Sequence, residues 1–318
     1  MLSFCHKNLF KSAAGSLLLC AATMLACAQS PPSVPACNGG SRWIVNSGSL
    51  KRSQAEFPLE AQKKYFDSPC TFLVIGGEEA AYDKDWNAIK TRTITNLAAL
   101  DEVVKDPTVT AVLYDPEAWE MTPRQEQTHP LKAVCRAAAA AHAQNKLLIA
   151  TPAINLVRFL SPGSAANGER FAAFQKTHIA GDVAKCADVY EIQAQGAEMD
   201  SDKFRDFVTA EAEQARAANP NIIVLAGIST NPMGQRVTAE QLFKAVQSVR
   251  NVVAGFWLNI PAGGKYCPSC GEPQPKVAVD LLKMLAHQLR KRLRICRRQR
   301  RLQAAFLLKR CSAWLGTG

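Results

Sequence analysis

The sequence predicts an α/β protein built as a (β/α)8 barrel of the TIM type, closed or one strand short, and three observations carry that expectation. Short, nearly continuous apolar runs alternate with amphipathic helical stretches, the order that produces a parallel sheet wrapped by helices. The runs lack the polar alternation of a half-solvated sheet, so both of their faces are covered. The alternation fills residues 42–285, close to the roughly 250 residues of one such barrel.

Taken in order, the strand-like runs lie at 43–46, 72–75, 109–114, 147–150, 189–193, 222–227 and 253–258. A weaker eighth run falls around 92–95, where Arg92 and two threonines interrupt the apolar pattern. Helical stretches at 130–145, 201–219 and 238–249 separate the later runs. The middle one opens at Ser201-Asp202, residue types that cap helices, and stops at Asn219-Pro220. The competing architecture, an open doubly wound sheet, normally carries a glycine-rich phosphate turn after a strand. No G-x-G-x-x-G is present, and Gly76-Gly77 runs into Glu78 and Glu79, which would repel a phosphate.

The net charge of +11 looks like a nucleic-acid signal until it is located. Eleven of the 38 Lys and Arg lie from Lys283 onward, where there are no acids, and the other 27 face 27 Asp and Glu. The body is neutral, so nucleic acid is not expected as a partner. The N-terminus places Lys7 and Lys11 before an apolar run through Leu17-Leu18-Leu19 and the small residues Ala26-Cys27-Ala28. That is the layout of a secretory signal peptide over 1–28, and Cys27 offers a lipid-anchor site as the single expected link to a membrane. Residues 29–41, with Ser30-Pro31-Pro32-Ser33-Val34-Pro35, read as a linker.

Eleven cysteines agree with an exported chain. Without Cys5, Cys20 and Cys27 of the leader, and Cys296 and Cys311 near the C-terminus, six remain: Cys37, Cys70, Cys135, Cys186, Cys267 and Cys270. Spacing does not fix their connectivity; Cys37–Cys70 and Cys135–Cys186, each joining neighbouring elements, are the favoured pairs. "KYCPSCGEP" at 265–273 matches one knuckle of a zinc ribbon, but no second C-x-x-C or H-x3–5-H exists in the body to complete four ligands. A redox role would ask for a helix directly after the motif, which Gly271 and Pro273 oppose. A local Cys267–Cys270 disulfide is the reading kept, and no metal or cofactor is expected. The basic, leucine-rich stretch 286–318 departs from the barrel pattern. It reads either as an arm for membranes or anionic polymers or as a non-native reading of the gene, and a neutral exported barrel favours the second.

Reactive groups of such barrels sit where the strands end at their C-terminal mouth. The strand ends here are Asn46 and Ser47; Glu78 and Glu79; Asp115, Glu117 and Trp119; Thr151; Glu191, Gln193 and Gln195; Ser229, Thr230 and Asn231; Trp257 and Asn259. Acids, amides and tryptophans converging on one mouth suit sugar recognition, because aromatic rings stack on pyranose faces while amides and acids hold hydroxyls. Cleavage adds an acid to protonate the leaving oxygen and a second carboxylate near the anomeric centre. "TAVLYDPEAWE" at 110–120 is the sharpest of these ends. On a strand, Asp115 and Glu117 share one face and Tyr114 takes the other.

This layout resembles the secreted glycoside-hydrolase barrels, most of all the chitinase-type family 18. That family ends its fourth strand in D-x-x-D-x-D-x-E, and here the terminal D-x-E is kept as Asp115 and Glu117, while Thr110 and Leu113 stand at the two earlier acidic positions. The resemblance implies Glu117 as general acid and Asp115 as its orienting partner. It also implies Trp257, on the eighth strand, as the floor of the sugar site. Glu191 is the candidate third acid, with Trp119, Gln193 and Asn259 as further contacts to a poly- or oligosaccharide. The expected protein is an exported monomeric hydrolase of glycosidic bonds. Two rivals stand beside it: a glycan-binding barrel without chemistry, and a metal-dependent barrel hydrolase with Asp115, Glu117 and Glu191 as ligands. The plainer readings are Asp115 as a turn cap, Glu117 paired with Arg124, Glu191 as a bonded barrel residue and Trp257 as core. His6, His129, His142, His178 and His287 are isolated from one another, with His142 expected at the surface, and no G-x-S-x-G is present.

Overall fold

The fold is seen in a computed structural model, which describes residues 32–37, 40–76, 85–163, 169–265, 267–291 and 294. The leader, Glu78, Glu79 and most of the basic C-terminal stretch lie outside the described residues. Eight parallel strands close a barrel in sequence order. They are β1 (Arg42–Asn46), β2 (Thr71–Val74), β3 (Ile89–Ile94), β4 (Ala111–Tyr114), β5 (Leu147–Ala150), β6 (Val189–Ile192), β7 (Ile223–Ser229) and β8 (Gly255–Asn259). β1 pairs with both β2 and β8, so the barrel is complete and the open sheet is excluded.

The weak eighth strand is β3, and it starts at Ile89 rather than near Arg92. Its outward Lys90 and Arg92 are half-buried, and Arg92 lies 4.0 Å from Asp106. A short helix, Leu100–Lys105, follows it and covers little of that face. A strand with a partly wet outer face carries charge, which is why it read poorly as a buried run.

Two apolar layers form the core. Ile44, Phe72, Leu113, Ile149, Val189 and Leu225 fill the barrel interior. The alternate residues of the same strands, such as Val45, Leu73, Val112 and Val224, pack outward in one cluster with Phe204, Leu242 and other helix residues. Carried around the tilted, closed sheet, the strand registers stack the inward positions in tiers contributed by alternate strands. Val74, Leu113, Glu191 and Trp257 share one tier; Asn46, Thr93, Thr151 and Gly227 form the next; Gly76, Asp115, Gln193 and Asn259 form the rim above. Polarity rises toward the C-terminal mouth. At the other end Val34 and Ile223 pack against the interior cluster, and the Arg42 guanidinium donates to the Pro35 carbonyl.

The helices have local causes. Asp200, one residue before the expected cap, accepts the Asp202 and Lys203 N–H groups at 3.1 Å each and starts Ser201–Ala218. Thr238 and Gln241 form a reciprocal capping box for Ala239–Val249. Pro130 opens Pro130–Ala143, where its missing N–H costs nothing. His142 of that helix is not a free surface residue: its Nε2 meets Asp188 Oδ2 at 2.9 Å. Residues 275–291 are helical, so the last helix runs past position 285. Three disulfides are present, Cys37–Cys70, Cys135–Cys186 and Cys267–Cys270, in the expected pairing.

Candidate functional site

β4 stops at Tyr114, and the chain leaves the sheet while Asp115 N–H still donates to the Ile94 carbonyl at 2.9 Å. Tyr114 points outward, its hydroxyl 2.6 Å from Glu126 Oε2. Asp115 turns inward and is buried. Its Oδ1 accepts from Thr151 Oγ1 at 3.0 Å and from Gln193 Nε2 at 2.8 Å. Gln193 is fixed in turn by donating to the Thr151 carbonyl at 3.0 Å. Asp115 is therefore held by neighbouring strands and does not cap its own turn.

Glu117, two residues on, is half-buried. Asn155 Nδ2 donates to its Oε2 at 3.0 Å, and Asn155 Oδ1 accepts the Ala118 N–H at 2.8 Å. Arg124 is not its partner; that guanidinium lies over the Phe159 ring at 3.3 Å. The loop between them is tied down by Thr122, whose Oγ1 accepts from Glu117 N–H at 3.1 Å and from the Trp119 indole at 2.9 Å. Thr122 itself donates to the Thr95 carbonyl at 2.8 Å, and Gln127 Nε2 donates to the Trp119 and Thr122 carbonyls at 2.7 Å each. The loop that carries the acid has little freedom to move.

The third acid lies deeper. Glu191 is fully buried and neither of its oxygens has a hydrogen-bond partner among the described residues. Space for it depends on Gly227: a Cβ there would come within 2.5 Å of Glu191 Oε1 and 2.3 Å of Gln195 Nε2. Gln195 thus folds back over the same glycine, above Glu191.

Electrostatics follow from this stack. Burial, then the Glu117 charge, pushes the Asp115 carboxyl up to about 8, while the Thr151 and Gln193 donors pull the other way. Burial raises Glu117 as well, opposed by the Asn155 amide. Burial and the Asp115 charge drive Glu191 well above the ordinary range. Carboxyls that resist ionisation next to one another are the arrangement that keeps one protonated near neutral pH.

The remaining candidates divide. Trp257 is half-buried and packs on the interior cluster in the Glu191 tier. Asn259 is half-buried at the rim, its carbonyl accepting Thr230 N–H at 3.0 Å. Asn46 is spent on a cap, accepting Ser49 N–H at 3.1 Å. Asn231 is structural: its amide reaches the Cys270 carbonyl at 2.8 Å and ties the loop after β7 to the loop after β8. Ser229 and Thr230 are buried in the same junction. Asn155, Thr122 and Gly227 were not singled out by the sequence reading. The one signal available for Asn155 was a polar residue a few positions beyond a strand end. Among the described residues no group of three His, Cys, Asp or Glu is placed to hold a metal ion.

No family model matches the chain, and no curated protein matches it in sequence. Several solved structures match it at low identity. Triosephosphate isomerase from Bartonella henselae matches with a TM-score of 0.40 and 9% identity over 69% of this chain and 92% of that one. The carboxyl transferase domain of Rhizobium etli pyruvate carboxylase gives 0.41 and 12%, over 73% of this chain and 46% of that one. The PgaB (BpsB) glycoside hydrolase domain from Bordetella bronchiseptica gives 0.39 and 10%, over 70% and 94%.

Proposed function

We propose that the protein is an exported carbohydrate-active hydrolase that cleaves glycosidic bonds at the C-terminal mouth of the barrel. One observation carries the reading. Asp115 and Glu117 lie together in a locked loop, both disfavoured in the charged form, with Glu117 the one that reaches the mouth. Glu117 is the general acid that protonates the leaving oxygen. Asp115, once ionised, keeps Glu117 protonated and stabilises positive charge at the anomeric centre. Glu191 lies one inward position deeper and is kept protonated by burial and by the Asp115 charge, which leaves Asp115 as the group that ionises. Trp119, Gln193, Trp257 and Asn259 are the proposed sugar contacts. Export agrees with three disulfides in the body and with the leader-like N-terminus, where Cys27 offers the lipid site.

The family-18-like roles reach only Asp115 and Glu117. Leu113 fills the barrel core and Thr110 donates to the Lys90 carbonyl at 3.3 Å, so neither position supplies an acid to the mouth. That favours, as the second reading, a glycan-binding barrel without chemistry. A panel of poly- and oligosaccharides incubated with wild type and Glu117→Gln separates them. Cleavage by wild type alone, with binding kept in the variant, supports the hydrolase; binding without cleavage by either protein supports the second reading and overturns the first.

A further inference from the structure

Asp115, Glu117 and Glu191 run from the rim of the barrel into its interior with no cation bonded to them among the described residues. Their polar contacts are the amides of Gln193 and Asn155 and the Thr151 hydroxyl, and Glu191 has none among the described residues. Three cations of the surrounding loops are engaged elsewhere. Arg124 stacks on Phe159 at 3.3 Å, Arg170 lies over Phe171 at 5.2 Å and acts on Glu198, and Lys265 faces Glu120 at 4.0 Å.

A fully buried carboxyl with no donor among the described residues, in the tier below a second carboxyl that influences it, is an unsatisfied feature. In the free protein burial holds Asp115 and Glu191 protonated, so a neutral sugar draws no charge from them and an acidic sugar would raise them further. A protonated amine brings an opposite charge within the few ångströms over which it favours ionised carboxylates. We infer that the mouth takes a glycan bearing free amines, a hexosamine unit that is not N-acetylated, its ammonium seated against Asp115 with Glu191 beneath. This rests on the reading of the mouth as a glycan site and adds the class of sugar. It also sets the protonation pattern that reading needs, because an ammonium beside Asp115 holds that residue ionised while Glu117, nearer the surface, keeps its proton. Since burial leaves Asp115 protonated in the free protein, seating the amine expels that proton to solvent.

The test is calorimetric titration of matched glucosamine and galactosamine oligomers, each fully deacetylated or fully N-acetylated. Titrations are run at about pH 6.5, where the amines carry charge, in two buffers of different ionisation enthalpy. The amine oligomers are expected to bind about tenfold or more tightly than their acetylated partners, with net proton release. Glu191→Gln, and independently Asp115→Asn should the first fail to fold, bring the two classes toward equal affinity. Acetylated oligomers bound as well as the amines, or a preference that both substitutions leave intact, overturns the inference and leaves the hydrolase reading standing. Failure to bind any of these oligomers, with neutral glycans still cleaved, does the same. Neither binding nor cleavage of any glycan overturns both.

Discussion

Glu117 sits between two opposed influences, and the balance makes a signed prediction. Burial favours its protonated form, while the Asn155 amide favours the ionised one. Asn155→Ala removes that donor, so the Glu117 carboxyl rises further. For a general acid, the alkaline limb of the pH–rate profile then moves to higher pH, with kcat lowered as orientation is lost. A limb that stays in place, or moves down, means that Glu117 is not the group being titrated. Gly227→Ala tests the same site from below. The added methyl collides with Gln195 and Glu191 at 2.3 and 2.5 Å, which displaces Gln195 and lowers activity. An unchanged rate would show that Gln195 takes no part. The acids themselves were legible, since an apolar run ending in Asp115 and Glu117 is conspicuous on one line of sequence. Their supports were not. Asn155 and Thr122 matter only because two loops, far apart in the chain, fold over the same carboxyl.

At the scale of elements the disulfides are ordered by the chain they close. Cys135–Cys186 joins helix Pro130–Ala143 to the turn that follows helix Ile179–Ala184 across 51 residues, Cys37–Cys70 spans 33, and Cys267–Cys270 spans 3. If the cross-links act by restricting the unfolded chain, removing each of the first two costs roughly 4 kcal/mol and removing the last about 1.5 kcal/mol. Paired Cys→Ser variants followed by urea unfolding measure this, and a larger loss from the Cys267–Cys270 variant contradicts it. Seven strands were readable because both their faces are apolar; β3 was shifted because Lys90 and Arg92 face a thinly covered flank. The cap of helix Ser201–Ala218 moved by one residue to Asp200 because either Asp200 or Ser201 suits the position. Pattern chose the elements, and tertiary contact chose their ends.

For the whole molecule the buried acids act in one direction. Burial raises Asp115, Glu117, Glu191, Glu198 and Glu211; Asp115 reaches about 8, and Glu198 and Glu211 about 7 each. In the unfolded chain these groups ionise near 4. Between about pH 4 and 8 the folded protein therefore binds more protons than the unfolded one, and stability falls as pH rises. The urea midpoint is expected to be lower at pH 8 than at pH 5, and a midpoint that rises over that interval contradicts the burial described for these groups. The closed barrel was legible from the alternation and length of its parts, whereas which inward residues share a tier depends on shear, which no linear pattern displays. The central claim is that Glu117 donates a proton to a departing sugar. Its most direct test is the rate of Glu117→Gln on two substrates of one glycan, one with a sugar and one with 2,4-dinitrophenolate as leaving group. Glu117→Gln is expected to lose about 10²–10⁴-fold on the first and little on the second, which departs without protonation; equal loss on both, or none on either, would contradict the role of Glu117 as the acid.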